Sequence, residues 1–180
     1  MNDAAPSKAR MGVLFDAGAI AARIDGLARE IADAGFHDLL VVPILKGSFM
    51  FSADLLRALH VAGLTPEVDF IFLSSYGKGT RSSGRVEVLR EPEASVQSRD
   101  VLIVDDLLDS GRTLAFAKDL FVARGAKRVA TCVLLDKPIV RAIEIDADFR
   151  GFECPNVFVV GYGMDLADRY RELPFVGQIT

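Results

Sequence analysis

The 180-residue chain has few cysteines and histidines, and this scarcity excludes whole classes of chemistry. With only His37 and His60 present, neither a histidine-based metal site nor a histidine-dependent catalytic triad has support. The two cysteines, Cys132 and Cys154, lie far apart in the sequence. Cys132 falls within an apolar run, which favours a buried, reduced thiol and therefore a cytoplasmic location.

Charge of predominantly one sign and long apolar stretches are also missing. The 21 basic and 25 acidic side chains give a net charge of −4 and are spread along the chain, so no nucleic-acid partner is predicted. No apolar run approaches the length of a membrane span, and residues 1–10 lack the apolar core of a secretory signal, so no membrane partner is predicted. At 51% hydrophobic residues, the chain is expected to fold as a single domain over residues 1–180.

Apolar residues at helical spacing alternate with short apolar runs along the chain. The spacing predicts helices over residues 17–35, 48–59 and 113–124. The apolar runs predict strands over residues 39–45, 68–73, 86–89, 102–104, 129–135 and 157–160. Such alternation is typical of an α/β fold with a mostly parallel, twisted sheet flanked by helices.

The most informative segment is the run VLIVDDLLDSGRT over residues 101–113. Ligands of α/β proteins collect beyond the carboxyl ends of buried strands, and here such a strand leads into Asp105 and Asp106. Ser110, Gly111 and Thr113 then offer hydroxyl and backbone N–H groups at the start of a helix, where a phosphate is favoured. Carboxylates beside them suit hydroxyls or a hard cation. Together these features indicate a phosphorylated sugar as ligand.

Other strand ends carry groups that would complement this site. Lys46 and Gly47 end one strand and open a helix, which predicts a second anion site, although the order of residues is not that of a P-loop. Lys137 follows a later strand, where its ammonium would donate to a carbonyl oxygen. The segment 77–85 is rich in glycine and positively charged, and its composition fits an active-site lid as well as a plain loop.

The segment 101–113 closely resembles the 5-phosphoribosyl-1-pyrophosphate (PRPP) motif of type I phosphoribosyltransferases. Together with segments 41–54, 74–91, 134–138 and 158–177, it makes the chain resemble the bacterial hypoxanthine-guanine phosphoribosyltransferases from about Val13 onward. The resemblance implies the type I phosphoribosyltransferase fold, with a small hood built from the N- and C-terminal segments and a mobile loop over about 75–85. It also implies a purine-salvage enzyme that uses Mg²⁺, joins a 6-oxopurine base to PRPP to give IMP or GMP, releases pyrophosphate, and forms a homodimer or homotetramer.

The same resemblance implies a role for each residue of the site. Asp109 would be the general base at N7 of the purine. For the ribosyl donor, the resemblance implies that Asp105 and Asp106 bind the ribose and magnesium, and that the 5-phosphate is bound by Ser110, Gly111, Arg112 and Thr113. It implies that pyrophosphate is bound by Lys46, Gly47 and Arg171, with a cis bond between Leu45 and Lys46, and that a hood loop begins at Ser75 and Tyr76. The purine would be bound by Lys137, Phe158, Val159 and Asp165, and Asp165 would also bind a second magnesium. The chain departs from many family members in having Asp-Asp where they have Glu-Asp.

Two alternatives remain open from the sequence. One is a regulator of the same fold that senses PRPP and controls transcription or binds RNA, which would be expected to carry a DNA-binding domain or a basic face. The other is a phosphoribosyltransferase for a different base, such as xanthine or a pyrimidine. The set Lys137, Phe158 and Asp165 favours a 6-oxopurine but does not separate hypoxanthine, guanine and xanthine.

Overall fold

The computed structural model describes residues 11–75 and 86–179, and their helices and strands alternate as the sequence predicts. The elements are β1 (Met11–Phe15), α1 (Ala17–Asp33), β2 (Leu39–Leu45), α2 (Phe49–Val61), β3 (Glu67–Val68), β4 (Ile71–Ser75), β5 (Val86–Arg90), β6 (Asp100–Leu108), α3 (Arg112–Ala123), β7 (Arg128–Asp136), β8 (Phe149–Glu153), β9 (Val159–Val160) and β10 (Val176–Ile179). No helix in the described ranges is long and apolar enough to span a membrane.

The central sheet has the strand order β5-β4-β2-β6-β7-β8, with β3 also paired to β2. All of its pairs are parallel except β4 with β5, which confirms the predicted mostly parallel sheet. Because β2, β6 and β7 lie side by side and run the same way, the residues that follow them meet at one edge of the sheet.

The sheet is covered by helices on both faces. Side chains alternate between the faces of a strand, so Val41 of β2 packs in the cluster formed with α1 and α2, whereas Leu40 and Val42 pack in the cluster formed with α3. The expected buried thiol is confirmed, because Cys132 is a fully buried free cysteine of β7. The strands are thus held rigidly from both sides, which fixes the loops at their carboxyl ends.

A second, three-stranded sheet has the antiparallel order β1-β10-β9 and joins the two ends of the described chain. Val13 of β1 is paired with Gly177 of β10, and Gln178 of β10 is paired with Val159 of β9. This pairing holds the segment that begins at Phe158 beside the edge of the central sheet. Neither β1 nor β10 is predicted from the sequence, and β9 is shorter than the predicted strand over 157–160.

The sequence predicts one continuous strand over 68–73, and this is wrong. The structure has two strands here, because β3 ends at Val68 and β4 begins at Ile71. The Asp69 carboxylate causes a local break by accepting hydrogen bonds from the N–H groups of Phe70 (2.7 Å), Glu93 (2.6 Å) and Ala94 (2.9 Å). Burial by itself would raise the pKa of Asp69, but these backbone donors outweigh it and hold the pKa below its ordinary value.

Strand β6 is longer than the predicted 102–104 and continues through the acidic pair to Leu108. Its pairing with β7 persists along this length, with Asp105 beside Val133 and Leu108 beside Asp136. The expectation that Asp105 and Asp106 lie beyond the strand is therefore wrong. They are strand residues, and their positions are fixed by the backbone ladder and not by a turn.

Candidate active site

A cavity of about 220 Å³ opens at the edge of the sheet where β2, β6 and β7 end. It is lined by Gly47, Asp106, Leu107, Asp109, Lys137, Phe158, Val159, Met164, Asp165 and Arg171. All of these except Leu107 and Met164 are site residues predicted from the sequence. The fold therefore brings together residues from four separate segments of the chain.

A smaller cavity of about 70 Å³ adjoins the first and is lined by Asp105, Leu107, Leu108, Asp109, Ser110, Gly111, Thr113 and Leu114. Both cavities have Leu107 and Asp109 in their walls. Gly111 precedes α3 and has a φ of +79°, a conformation that favours glycine. The small cavity thus lies at a helix N-terminus, where backbone N–H groups favour an anion. Arg112, in contrast, is the first residue of α3 and lines neither cavity of the described chain.

Asp105 and Asp106 form an adjacent acidic pair on β6. Asp105 is 6% exposed, and its Oδ1 accepts a hydrogen bond from the Asp106 backbone N–H at 3.0 Å. Burial raises the pKa of both carboxyls, and the neighbouring Asp106 raises the pKa of Asp105 further. Gly47 lies against this pair, since a Cβ at that position would come within 2.6 Å of the Asp106 carboxyl carbon. Only glycine fits there without moving the carboxylate.

Lys137 and Asp109 are the charged pair in the wall of the larger cavity. They follow β7 and β6, and because those strands are neighbours in register, the lysine Nζ lies 3.4 Å from Oδ2 of Asp109. The Lys137 side chain is only 8% exposed, whereas that of Asp109 is 48% exposed. A buried ammonium beside a partly exposed carboxylate offers a ligand one donor and one acceptor at adjacent positions.

Lys46 and Arg171 are two further cationic side chains near the cavity of about 220 Å³. The predicted cis bond between Leu45 and Lys46 is confirmed. Arg171 donates from Nη1 to the Gly163 carbonyl at 2.7 Å, and its Nη2 lies 2.7 Å from the Asp165 carboxylate. Asp168, which was not predicted, links the two cations at 3.5 Å from Lys46 and 3.4 Å from Arg171. The hydrogen bond from Arg171 and the charge of Lys46 lower the pKa of this exposed carboxyl.

Phe158 lies at the mouth of the larger cavity with 54% of its surface exposed. Its carbonyl accepts a hydrogen bond from Ile179 N–H at 3.2 Å, so β10 holds the backbone while the ring stays open to a ligand. The backbone of Ser75 ends β4. The remainder of the predicted hood loop, Tyr76 and residues 77–85, lies outside the described residues.

The contacts that hold the segment around Lys137 in place are also not predicted from the sequence. Asp136 precedes this lysine, is 5% exposed, and accepts hydrogen bonds from Arg141 and, at 3.4 Å, from Arg150. Arg141 also donates to the Ile145 carbonyl at 2.5 Å. These contacts fasten the segment after β7 to the strand. Nothing in the spacing of the two arginines indicates that they share one carboxylate.

A larger and mostly apolar groove of about 590 Å³ lies between α1 and α2, beside Glu172, Leu173 and Pro174. None of the predicted site residues lines it. Charged groups, a helix N-terminus and an exposed aromatic ring meet at the carboxyl edge of the sheet, and we therefore assign the site to that edge.

Comparison with known proteins identifies the family. A model of the phosphoribosyl transferase domain matches residues 12–167. The hypoxanthine phosphoribosyltransferase of Escherichia coli (strain K12) is 43% identical over 171 residues, which cover 93% of this chain and 94% of that protein. The chain belongs to the hypoxanthine phosphoribosyltransferase family.

Other members of the hypoxanthine phosphoribosyltransferase family agree with this assignment. The hypoxanthine-guanine phosphoribosyltransferase of Bacillus subtilis (strain 168) is 48% identical over 138 residues, which cover 77% of this chain and 75% of that protein. A solved hypoxanthine phosphoribosyl transferase from Trypanosoma cruzi superposes with a TM-score of 0.89 at 37% identity, covering 98% of this chain and 94% of that one. The predicted type I phosphoribosyltransferase fold is thereby confirmed.

Some relatives are much longer. The bifunctional protein TilS/HprT of Listeria monocytogenes is 46% identical over 166 residues, which cover 92% of this chain but 25% of that protein. The chain thus spans about a quarter of the length of these TilS/HprT relatives. Most of it is matched by the model of the phosphoribosyl transferase domain.

Proposed function

We propose that this chain is a purine-salvage enzyme that transfers the 5-phosphoribosyl group of PRPP to hypoxanthine or guanine, giving IMP or GMP and pyrophosphate. The observation that carries the proposal is the Lys137–Asp109 pair in the wall of a cavity that adjoins a helix N-terminus. The 6-oxo group and N7 are neighbours on a 6-oxopurine. An ammonium and a carboxylate 3.4 Å apart match that edge, one donating to the oxygen and the other accepting from the N7 proton.

The ribosyl donor would occupy both cavities. Ser110, Gly111 and Thr113 would bind the 5-phosphate through hydroxyl and backbone N–H groups, with Arg112 starting the helix behind them. Because Leu107 and Asp109 are common to both cavities, a ribose between them would reach the purine on the other side. Asp105 and Asp106 would then accept hydrogen bonds from the ribose hydroxyls.

The pyrophosphate end of PRPP would face Lys46, Gly47 and Arg171. The glycine allows the backbone to approach, and the two cations counter the charge that develops on the leaving group. Asp168 bridges these cations, so we expect its carboxylate to give way when pyrophosphate binds.

The acidic residues fit a magnesium-dependent reaction. Burial raises the pKa of Asp105 and Asp106, so bound hydroxyls or a hard cation would stabilise their charged forms. In the described part of the chain, no group of three or more His, Cys, Asp or Glu side chains is arranged to hold a metal ion, so most of its ligands would come from PRPP and water. One Mg²⁺ beside Asp105 and Asp106, and a second at Asp165, would supply positive charge to the ribose and pyrophosphate oxygens.

Breaking the bond between C1 and pyrophosphate leaves a ribose with oxocarbenium character, which the purine N9 attacks. Asp109 would hold or take the N7 proton as this happens, and a positioned base typically contributes about 10²–10⁴-fold. Lys137 would donate to the 6-oxo group, while Phe158 stacks on the ring and Val159 bonds it through its backbone. These contacts orient N9 toward C1.

The proposal is tested by steady-state rates with hypoxanthine, guanine, xanthine and a pyrimidine base at saturating PRPP and Mg²⁺. We expect turnover with hypoxanthine, guanine or both, and slower turnover with xanthine. Turnover with xanthine or a pyrimidine alone would overturn the choice of base. Tight PRPP binding in calorimetry with no turnover of any base would overturn the enzymatic function in favour of a PRPP sensor.

A further inference from the structure

The turn over residues 161–163 has an unusual backbone. Gly161, Tyr162 and Gly163 all have positive φ values, of +92°, +49° and +102°. Glycine adopts this region freely, whereas for a bulky residue such as tyrosine it is unfavourable. The turn therefore holds Tyr162 in a backbone conformation that its side chain does not favour, and the contacts of that side chain show what it does there.

The side chain of Tyr162 links the turn to a distant helix. The residue is 7% exposed, and its hydroxyl donates to Oδ2 of Asp54 on α2 at 2.5 Å. Burial and the Asp54 carboxylate both raise the pKa of Tyr162, so the hydroxyl keeps its proton and remains a donor at neutral pH. Asp54 also pairs with Arg57 of the same helix at 2.8 Å. Tyr162 thus joins segments that are 108 residues apart in sequence.

The two linked segments carry the residues assigned to pyrophosphate. Helix α2 begins at Phe49, directly after the Lys46–Gly47 loop. The backbone of Gly163 lies against that loop, since a Cβ there would come within 3.3 Å of the Gly47 carbonyl carbon. Gly163 also accepts from Arg171 Nη1 at 2.7 Å and donates from its N–H to the Arg171 carbonyl at 3.0 Å. Any shift of the turn would therefore move both sides of the pyrophosphate site.

The purine side of the cavity is held by other contacts. Phe158 and Val159 are fastened by backbone pairing with β10, through Ile179 and Gln178 respectively. Lys137 follows β7 and donates its backbone N–H to the Leu108 carbonyl at 3.0 Å. None of these contacts passes through the Tyr162 hydroxyl.

We propose that Tyr162 is a positioning residue for the reaction, and that its hydrogen bond to Asp54 fixes the 161–163 turn against the Lys46–Gly47 loop. The inference rests on the proposed function for the identity of the ligand. Tyr162 therefore increases the affinity of the site for the pyrophosphate end of PRPP and leaves the affinity for the purine unchanged.

The test is Tyr162→Phe, which keeps the ring and removes the hydroxyl. Because hydrogen bonds to charged acceptors are among the stronger ones, we expect the KM for PRPP and the Kd for pyrophosphate to rise about tenfold, with the KM for hypoxanthine within about twofold of wild type. The matched control is Tyr170→Phe, since Tyr170 also has a positive φ (+74°) and lies in the following loop. Its hydroxyl makes no hydrogen bond to any described residue, and we expect this variant to match wild type.

A second pair of variants tests Asp54, which accepts the hydrogen bond from Tyr162. Asp54→Ala should reproduce the loss seen in Tyr162→Phe, and the double variant should be no worse than either single one. Asp54→Asn keeps an acceptor oxygen without its charge and should restore part of the affinity. This rescue keeps the inference testable even where Tyr162→Phe folds poorly.

A lower melting temperature with unchanged KM and Kd values would overturn the inference, because the hydroxyl would then act on stability alone. An equal rise in the KM values of PRPP and hypoxanthine would also overturn it. Pyrophosphate binding is measured by calorimetry without turnover. An inactive wild type would therefore refute the proposed function, whereas an active wild type with unaffected variants would refute only the role of Tyr162.

Discussion

Replacing Asp109 with asparagine keeps the size of the side chain and removes its charge, so the variant directly tests the base proposed for this site. The carboxylate lies in the wall of the purine cavity, 3.4 Å from the Lys137 ammonium. Without the charge, the N7 proton has no acceptor of comparable strength. A positioned base contributes about 10²–10⁴-fold, which corresponds to about 2.7–5.4 kcal/mol in the barrier. We expect kcat for hypoxanthine to fall by a factor in that range.

The same substitution has a separate and smaller effect on stability. Lys137 is 8% exposed and Asp109 is 48% exposed, so their pairing lies between a surface ion pair and a buried one. Losing it should cost about 1–2 kcal/mol, or about 2–8 °C in melting temperature for a domain of this size. The two effects are distinguished by measuring kcat well below the melting temperature of the variant.

The assay is steady-state IMP formation at saturating PRPP and Mg²⁺, together with calorimetric PRPP binding. The matched control is Asp119→Asn, because Asp119 is an exposed aspartate of α3 that lines neither cavity. PRPP affinity should change by less than about threefold in both variants, since the phosphate-binding groups are left in place. Unchanged kcat in Asp109→Asn would remove this residue from the base role, and a parallel loss of PRPP binding would show that it acts on the donor.

Three further predictions follow from individual contacts. Gly47→Ala would push a methyl group against the Asp106 carboxyl, so we expect kcat/KM for PRPP to fall at least about tenfold, while circular dichroism shows an intact fold. Asp168→Asn removes the carboxylate that bridges the two cations, and pyrophosphate should then bind more tightly, by about two- to fivefold in calorimetry at low salt; weaker binding would show that the carboxylate orders the site. The lowered pKa of Asp69 means that its charged form stabilises the fold above its unfolded pKa, and that this stabilisation is lost as pH falls through the folded value below 3.8. Denaturant titrations should accordingly find Asp69→Asn less stable than wild type at pH 7, with the difference shrinking below about pH 4.

Much of the central sheet could be predicted because its signals are local. The helix periodicity over 17–35 and the apolar run over 39–45 correspond to α1 and β2, and Gly35 closes the helix with a φ of +65°. Strands β1, β8 and β10 were missed. They are short and contain glycine, and β1 and β10 pair with each other across nearly the whole chain, so no local pattern distinguishes these three strands from loops.

The site itself was predicted from motifs, because each motif places its chemical groups within one short run of residues. The segment 101–113 combines a buried strand, carboxylates and a helix start, and the structure brings it into contact with the other motifs at one sheet edge. The contacts that hold the motifs in place were not predictable. These contacts pair polar residues whose spacing in the sequence carries no signal. They are Asp136 with its two arginines, Asp168 with its two cations, and Tyr162 with Asp54.

The sequence by itself determined the fold class, the family and the residues that carry the chemistry, because hydrophobic periodicity and motif order are written along the chain. Only the tertiary structure decided how far those residues are buried and what each one touches. Asp105 and Asp106 illustrate the difference. Their place in the motif is visible in the sequence, but the burial that raises their pKa values comes from the packing of β6, which continues beside β7 past Asp105.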